Sequence, residues 1–190
     1  QDIALKPDVL NKEDHCFTGC GFHLPDGRPV FYYTSISDQR DPEQWIAYPQ
    51  DDTLNSLVQT QMHRMTYDMH KQLTGITEWR DPSVIPYKDG YLMVLGCRLN
   101  SRGACLLYTS EDGLHFTYHS VLASADGSED HSWECPNIMR IGEKYVLIYS
   151  PYRQPLYIIG TMTDDLRFIP EAKGIVDESG HEGYYAPQSF

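Results

Sequence analysis

Short apolar and aromatic runs recur along the chain in pairs. Pro29 to Tyr33 and Gln44 to Tyr48 form the first pair, Tyr91 to Leu95 and Ala104 to Tyr108 the second, and Tyr145 to Tyr149 and Leu156 to Gly160 the third. Gly and Asp separate runs rich in β-branched and aromatic residues, which predicts antiparallel hairpins. Each pair ends in an acidic turn: Asp51-Asp52, then Asp112-Gly113-Leu114-His115-Phe116, then Asp164-Asp165-Leu166-Arg167-Phe168. The last two share an Asp-x-Leu-x-Phe shape, and an outer strand is expected after each. One stretch departs from this rhythm. From Leu54 to Leu73 the apolar positions are 54, 57, 58, 62, 65, 69 and 73, a helical spacing. With Asp52 or Thr53 as cap and Gly75 as stop, it predicts an amphipathic helix near 53–74, inserted between hairpins with Met62, Met65 and Met69 packing on their flank.

A longer period underlies the hairpins. Trp79-Arg80-Asp81-Pro82 and Trp133-Glu134-Cys135-Pro136 lie 54 positions apart, and Tyr91 and Tyr145 keep the same offset. A period of about 50 residues in a strand-rich chain points to propeller blades. Three hairpin repeats are present, with a fourth inner strand expected from Tyr184-Tyr185-Ala186-Pro187. Rings of 4–8 blades close on themselves to hide strand edges. The count therefore predicts that residues 1–190 are part of a larger catalytic propeller, its first blade and closing strands lying outside them. The acids do not repeat with the scaffold: one copy carries a carboxylate at its third position, the other at its second. That is the pattern of a two-carboxylate active site built on repeated blades.

Composition narrows the partners. A net charge of −12 argues against a phosphate-backbone partner. No stretch reaches the ~18 apolar residues that a membrane span needs, and Gln1 to Leu10 shows no charged region followed by an apolar one, so the compartment stays open. Of the five cysteines, Cys97 and Cys105 sit on neighbouring runs of one hairpin, where two buried thiols are a commoner outcome than a disulfide. His15-Cys16 with Cys20 and His23 fits no standard zinc spacing, and no metal is expected there. His131 and His181 read as loop residues. Glu182, Tyr184 and Tyr185 either border a pocket or pack a blade. Arg40-Asp41-Pro42, a second Arg-Asp-Pro without a repeat partner, reads as a turn.

Four segments in order resemble glycoside hydrolase family 32, the invertase, levanase, inulinase and sucrose-6-phosphate hydrolase group. Trp79-Arg80-Asp81-Pro82 is similar to its Arg-Asp-Pro segment and Trp133-Glu134-Cys135-Pro136 to its Glu-Cys segment. Cys16-Phe17-Thr18-Gly19-Cys20 stands where the family usually has Phe-Ser-Gly-Ser. Glu182-Gly183-Tyr184-Tyr185-Ala186-Pro187-Gln188 resembles Asp-Phe-Tyr-Ala-Pro-Gln. The resemblance implies an all-β, five-bladed propeller, of which this chain holds about three blades and the start of another, without the C-terminal β-sandwich of family members. It implies a glycosidase that hydrolyses β-fructofuranosides (sucrose, sucrose phosphate or fructans) with retention, and no cofactor. Glu134 is then the acid/base and Asp81 the transition-state stabiliser, while Arg80, Phe17, Thr18 and Cys135 contact the substrate. The partners implied are a small fructoside and the rest of the catalytic domain. The family nucleophile, an Asp in an Asn-Asp-Pro segment, has no match in Gln1 to Cys16, and it is expected upstream; the segment alone is expected to be inactive. Alternatives are a fructosyltransferase of the same fold, an inverting furanosidase of the arabinanase group, and a non-catalytic sugar-binding propeller. The Glu-Cys-Pro unit weighs against the arabinanase type.

Overall fold

The computed structural model describes residues 3–127, 131–178 and 183–189. The predicted hairpins extend into three four-stranded antiparallel sheets. The first contains β1 (His15–His23), β2 (Pro29–Ser37), β3 (Arg40–Pro49) and β4 (Leu57–Met65). The second contains β5 (Ile76–Tyr87), β6 (Gly90–Leu99), β7 (Arg102–Ser110) and β8 (Thr117–Ser124). The third contains β9 (Glu134–Ile141), β10 (Lys144–Ser150), β11 (Leu156–Met162) and β12 (Phe168–Ile175). Each sheet is a simple meander, and the leading strands β1, β5 and β9 lie side by side across the sheets. These are blades with their inner strands around one axis. Apolar faces packed between neighbouring sheets form the core. Tyr32, Ile46, Met93, Leu95, Leu106 and Tyr108 fill one interface; Leu92, Val94, Leu107, Ile138 and Leu147 fill the next.

The expected outer strands β8 and β12 follow their Asp-x-Leu-x-Phe turns, with Phe116 and Phe168 buried. The helix expected near 53–74 does not form. That segment contains β4 and a short 3-10 turn, Tyr67–His70. The apolar spacing misleads because Val58 and Met62 point to solvent, Met62 being 80% exposed, while Met65 at 2% enters the core. Gln59 and Gln61, half-buried on the other face, hide the two-residue alternation. Covering the open edge of β3 outweighs a weak helical preference. Arg40-Asp41-Pro42 opens β3 rather than forming the turn; Arg40 bonds the Ser35 carbonyl at 3.2 Å and lies 5.0 Å over the Trp45 ring. All five cysteines are free. In the β6–β7 ladder Cys97 faces Ala104 and Cys105 faces Gly96, so the two thiols are not cross-strand partners.

All three inner strands carry the same irregularity. Cys16 pairs Ser35 and Gly19 pairs Tyr33, so Phe17 and Thr18 oppose Thr34 alone. Arg80 pairs Gly96 and Ser83 pairs Val94, leaving Asp81 and Pro82 opposite Leu95. Glu134 pairs Ser150 and Asn137 pairs Ile148, leaving Cys135 and Pro136 opposite Tyr149. Two residues against one is a β-bulge, which bends the strand and re-aims its side chains. Pro82 and Pro136 occupy positions where the ladder asks for no N–H.

Candidate active site

The bulge turns the sequence repeat into a site. Asp81 (φ 65°) and Cys135 (φ 46°) hold the left-handed conformation at equivalent places, and Ala186 (φ 50°), also just before a proline, does the same in the segment 183–189. Non-glycine residues in this region are uncommon, and they persist only where neighbours enforce them. Side chains outside each unit do so here. The Asp81 N–H donates to Thr34 Oγ1 at 2.8 Å, and Thr34 in turn donates to Gln44 at 2.7 Å. The Cys135 N–H donates to Asp81 Oδ2 at 2.9 Å, and the Ala186 N–H to Ser150 Oγ at 3.1 Å. The tryptophans anchor the units from behind. Trp79 is fully buried and its indole N–H donates to the Tyr108 hydroxyl at 2.8 Å. Trp133 stacks on Tyr149 at 3.8 Å. A Cβ at Gly96 would lie 1.8 Å from the Trp133 carbonyl oxygen, so the third blade meets the second only because that position has no side chain.

With the backbones so fixed, the second positions of successive units meet. Arg80 Nη2 donates to Glu134 Oε1 at 2.7 Å, and the Tyr185 hydroxyl donates to Glu134 Oε2 in a short hydrogen bond. Tyr185 also precedes a left-handed residue and a proline, as Arg80 and Glu134 do. Arg80 is further held by Glu78 Oε2 at 3.3 Å and the Tyr152 hydroxyl at 2.7 Å, with Asp81 Oδ2 3.8 Å from its Nε. Burial opposes the Arg80 charge, but the hydrogen bond to Glu134 and the charges around it prevail and raise its pKa. Asp81, 4% exposed, shifts upward because burial outweighs the Cys135 N–H and Arg80, both of which favour the carboxylate. Burial, then the Asp81 charge, pushes the Cys135 thiol up to about 12; it stays protonated, 3.7 Å from Asp81 Oδ2 and 4.0 Å from Thr18 Oγ1. Burial and the contact with Glu134 raise the Tyr185 phenol, which keeps it a donor.

Five of the six residues singled out in the sequence converge: Arg80, Asp81, Glu134, Cys135 and Thr18. Phe17 is 46% exposed, its ring 6.1 Å from that of His15. Tyr152 and Glu78, which also reach Arg80, lie outside the two four-residue units. Tyr185 shares the slot of Arg80 and Glu134, a signal open to the sequence. Glu182 and His181 lie outside the described residues. Segment 183–189 is not a strand but rests on β9, its Pro187 carbonyl accepting from Asn137 Nδ2 at 2.9 Å.

Stacked four-stranded meanders with their inner strands side by side are the blades of a β-propeller, here with Asp81 and Glu134 on adjacent inner strands. The sequence profile described as the glycosyl hydrolases family 32 N-terminal domain matches residues 1–190, and the chain belongs to that family. It is 30% identical over 210 residues to the sucrose-6-phosphate hydrolase of Escherichia coli, covering 100% of this chain and 42% of that protein. It is 29% identical over 218 residues to a fructan 1-exohydrolase of Triticum aestivum, covering 98% and 35%. The chain thus spans less than half the length of these relatives. The fold agrees with the Bombyx mori β-fructofuranosidase solved in complex with sucrose, at a TM-score of 0.74 and 24% identity over 92% of this chain and 39% of that one. It agrees equally with the sucrose-6-phosphate hydrolase of Lactobacillus gasseri, at 0.72 and 21% over 92% and 39%.

Proposed function

We propose that this chain supplies two of the three carboxylates of a retaining β-fructofuranosidase, and that the whole protein hydrolyses sucrose, sucrose phosphate or fructans. The observation that carries this reading is the pair of links between adjacent blades, Asp81 Oδ2 to the Cys135 N–H and Arg80 to Glu134 Oε1, which hold two acids of different exposure side by side. Glu134, half-buried and hydrogen-bonded at both oxygens, protonates the leaving oxygen and later activates water. Asp81, more deeply set, hydrogen-bonds the fructosyl hydroxyls and stabilises the oxocarbenium-like state. Arg80 orients Glu134; Thr18 and Cys135 line the floor, with Phe17 at its edge. The nucleophilic Asp comes from a part of the propeller upstream of these residues, which accords with the greater length of the relatives. The names of those relatives support the substrate class. The test is the anomer first released when the full-length protein cleaves sucrose, followed by NMR before mutarotation. β-Fructofuranose is expected; the α anomer would signal inversion and remove the nucleophile from the scheme.

A further inference from the structure

Resting on that reading, we infer that Tyr152 is a specificity-determining residue that stacks against the leaving sugar. Exposure rises in one direction across the site. The side chains of Asp81, Arg80, Glu134 and Glu78 are 5%, 12%, 21% and 36% exposed, and Tyr152 as a whole residue is 48% exposed. If Asp81 serves the fructosyl ring and Glu134 the glycosidic oxygen, the group beyond that oxygen faces Glu78 and Tyr152.

Tyr152 is built to stay there. It holds a left-handed backbone (φ 61°), its N–H donates to the Tyr185 hydroxyl at 3.2 Å, and its own hydroxyl accepts from Arg80 at 2.7 Å. The phenol is tied down at its polar tip and at its backbone, while the ring remains half in solvent. The His131 ring stands 5.2 Å away, tilted by 44°. A fixed, partly exposed aromatic face beside a carboxylate suits a sugar, whose C–H face packs on the ring while its hydroxyls donate to Glu78. Tyr152 and Tyr185 therefore differ in task although they touch each other. Tyr185 acts on Glu134 and would affect every substrate, whereas Tyr152 meets only substrates that carry a sugar beyond the scissile bond.

The test compares sucrose with methyl β-fructofuranoside, which has no leaving sugar, in the full-length protein and its Tyr152→Ala and Tyr152→Phe variants. Tyr152→Ala should raise KM for sucrose about 10-fold, the loss of ground-state binding by one aromatic contact, and reduce kcat/KM on the methyl fructoside by less than about 3-fold. Tyr152→Phe keeps the ring and removes only the hydroxyl bonded to Arg80, so it should act alike on the two substrates and retain most of the sucrose binding that Tyr152→Ala loses. Equal losses for Tyr152→Ala on the two substrates would overturn the inference and make Tyr152 a support for Arg80. A full-length protein that cleaves neither fructoside would instead overturn the proposed function itself.

Discussion

The second and third blades place one backbone unit in two chemical roles. Trp79 and Trp133 are both buried, Asp81 and Cys135 are both left-handed, and the prolines following them occupy the same bulge. Yet the second positions hold opposite charges, Arg80 and Glu134, that bond each other across the blades at 2.7 Å. The third positions hold a carboxylate and a thiol in contact. Repetition supplies a rigid frame in which neighbouring slots are already adjacent, so a site arises by varying the side chains alone. The first blade shows the frame without that chemistry: its bulge carries Phe17 and Thr18, and the slot of Arg80 and Glu134 holds Cys16.

If the units are equivalent as scaffold, their anchors should matter alike. Trp79→Ala and Trp133→Ala should each destabilise the protein by about 3–5 kcal/mol, the usual result of emptying a buried tryptophan site. Trp79→Ala should fall at the upper end because it also strips the Tyr108 hydroxyl of a donor. Equilibrium denaturation would check this, and a near-neutral result for one tryptophan would break the equivalence.

A smaller effect should separate the two anchors. Behind Trp79 lies His70, 3% exposed and ringed by Tyr67, Trp79, Tyr108 and Tyr118; Trp133 instead stacks on Tyr149. The Tyr108 hydroxyl accepts from the Trp79 indole N–H and is also hydrogen-bonded to His70 Nε2. Burial lowers the His70 pKa from 6.5 to about 4. The unfolded chain therefore binds the proton first, and this contribution is complete above about pH 6.5 and is lost as pH falls towards 4. Roughly 2–3 kcal/mol of stability should vanish over that window. Denaturant midpoints at pH 7 and pH 4.5 should show a drop that shrinks in His70→Phe; an unchanged drop would place the acid sensitivity elsewhere.

Much of this was legible in the sequence for a physical reason: a repeat imposes the same turns and apolar faces each time, so each copy corroborates the next. The hairpins, the outer strands β8 and β12, and the pairing of the Asp81 and Glu134 units were open to such comparison. At β4 the two signals conflict: the apolar spacing points to a helix, whereas the blade period calls for an outer strand. Its inward glutamines and outward Val58 and Met62 obscured the alternation. The bulge could not be read at all, because left-handed Cys135 and Ala186 are not residue types that announce such a backbone. Tyr152 and Glu78 join the site through tertiary folding, from a loop position and a strand position outside the two four-residue units.

The central claim is that two acids on equivalent scaffold do different work. It is tested most directly by kinetics of Glu134→Gln and Asp81→Asn in the full-length protein, on sucrose and on an aryl β-fructofuranoside with a good leaving group. General acid assistance is worth ~10²–10⁴-fold and matters little to an aryloxide. Glu134→Gln should lose that much on sucrose and far less on the aryl substrate, while Asp81→Asn should depress both alike. Equal losses for Glu134→Gln across the two leaving groups would contradict its role as the proton donor.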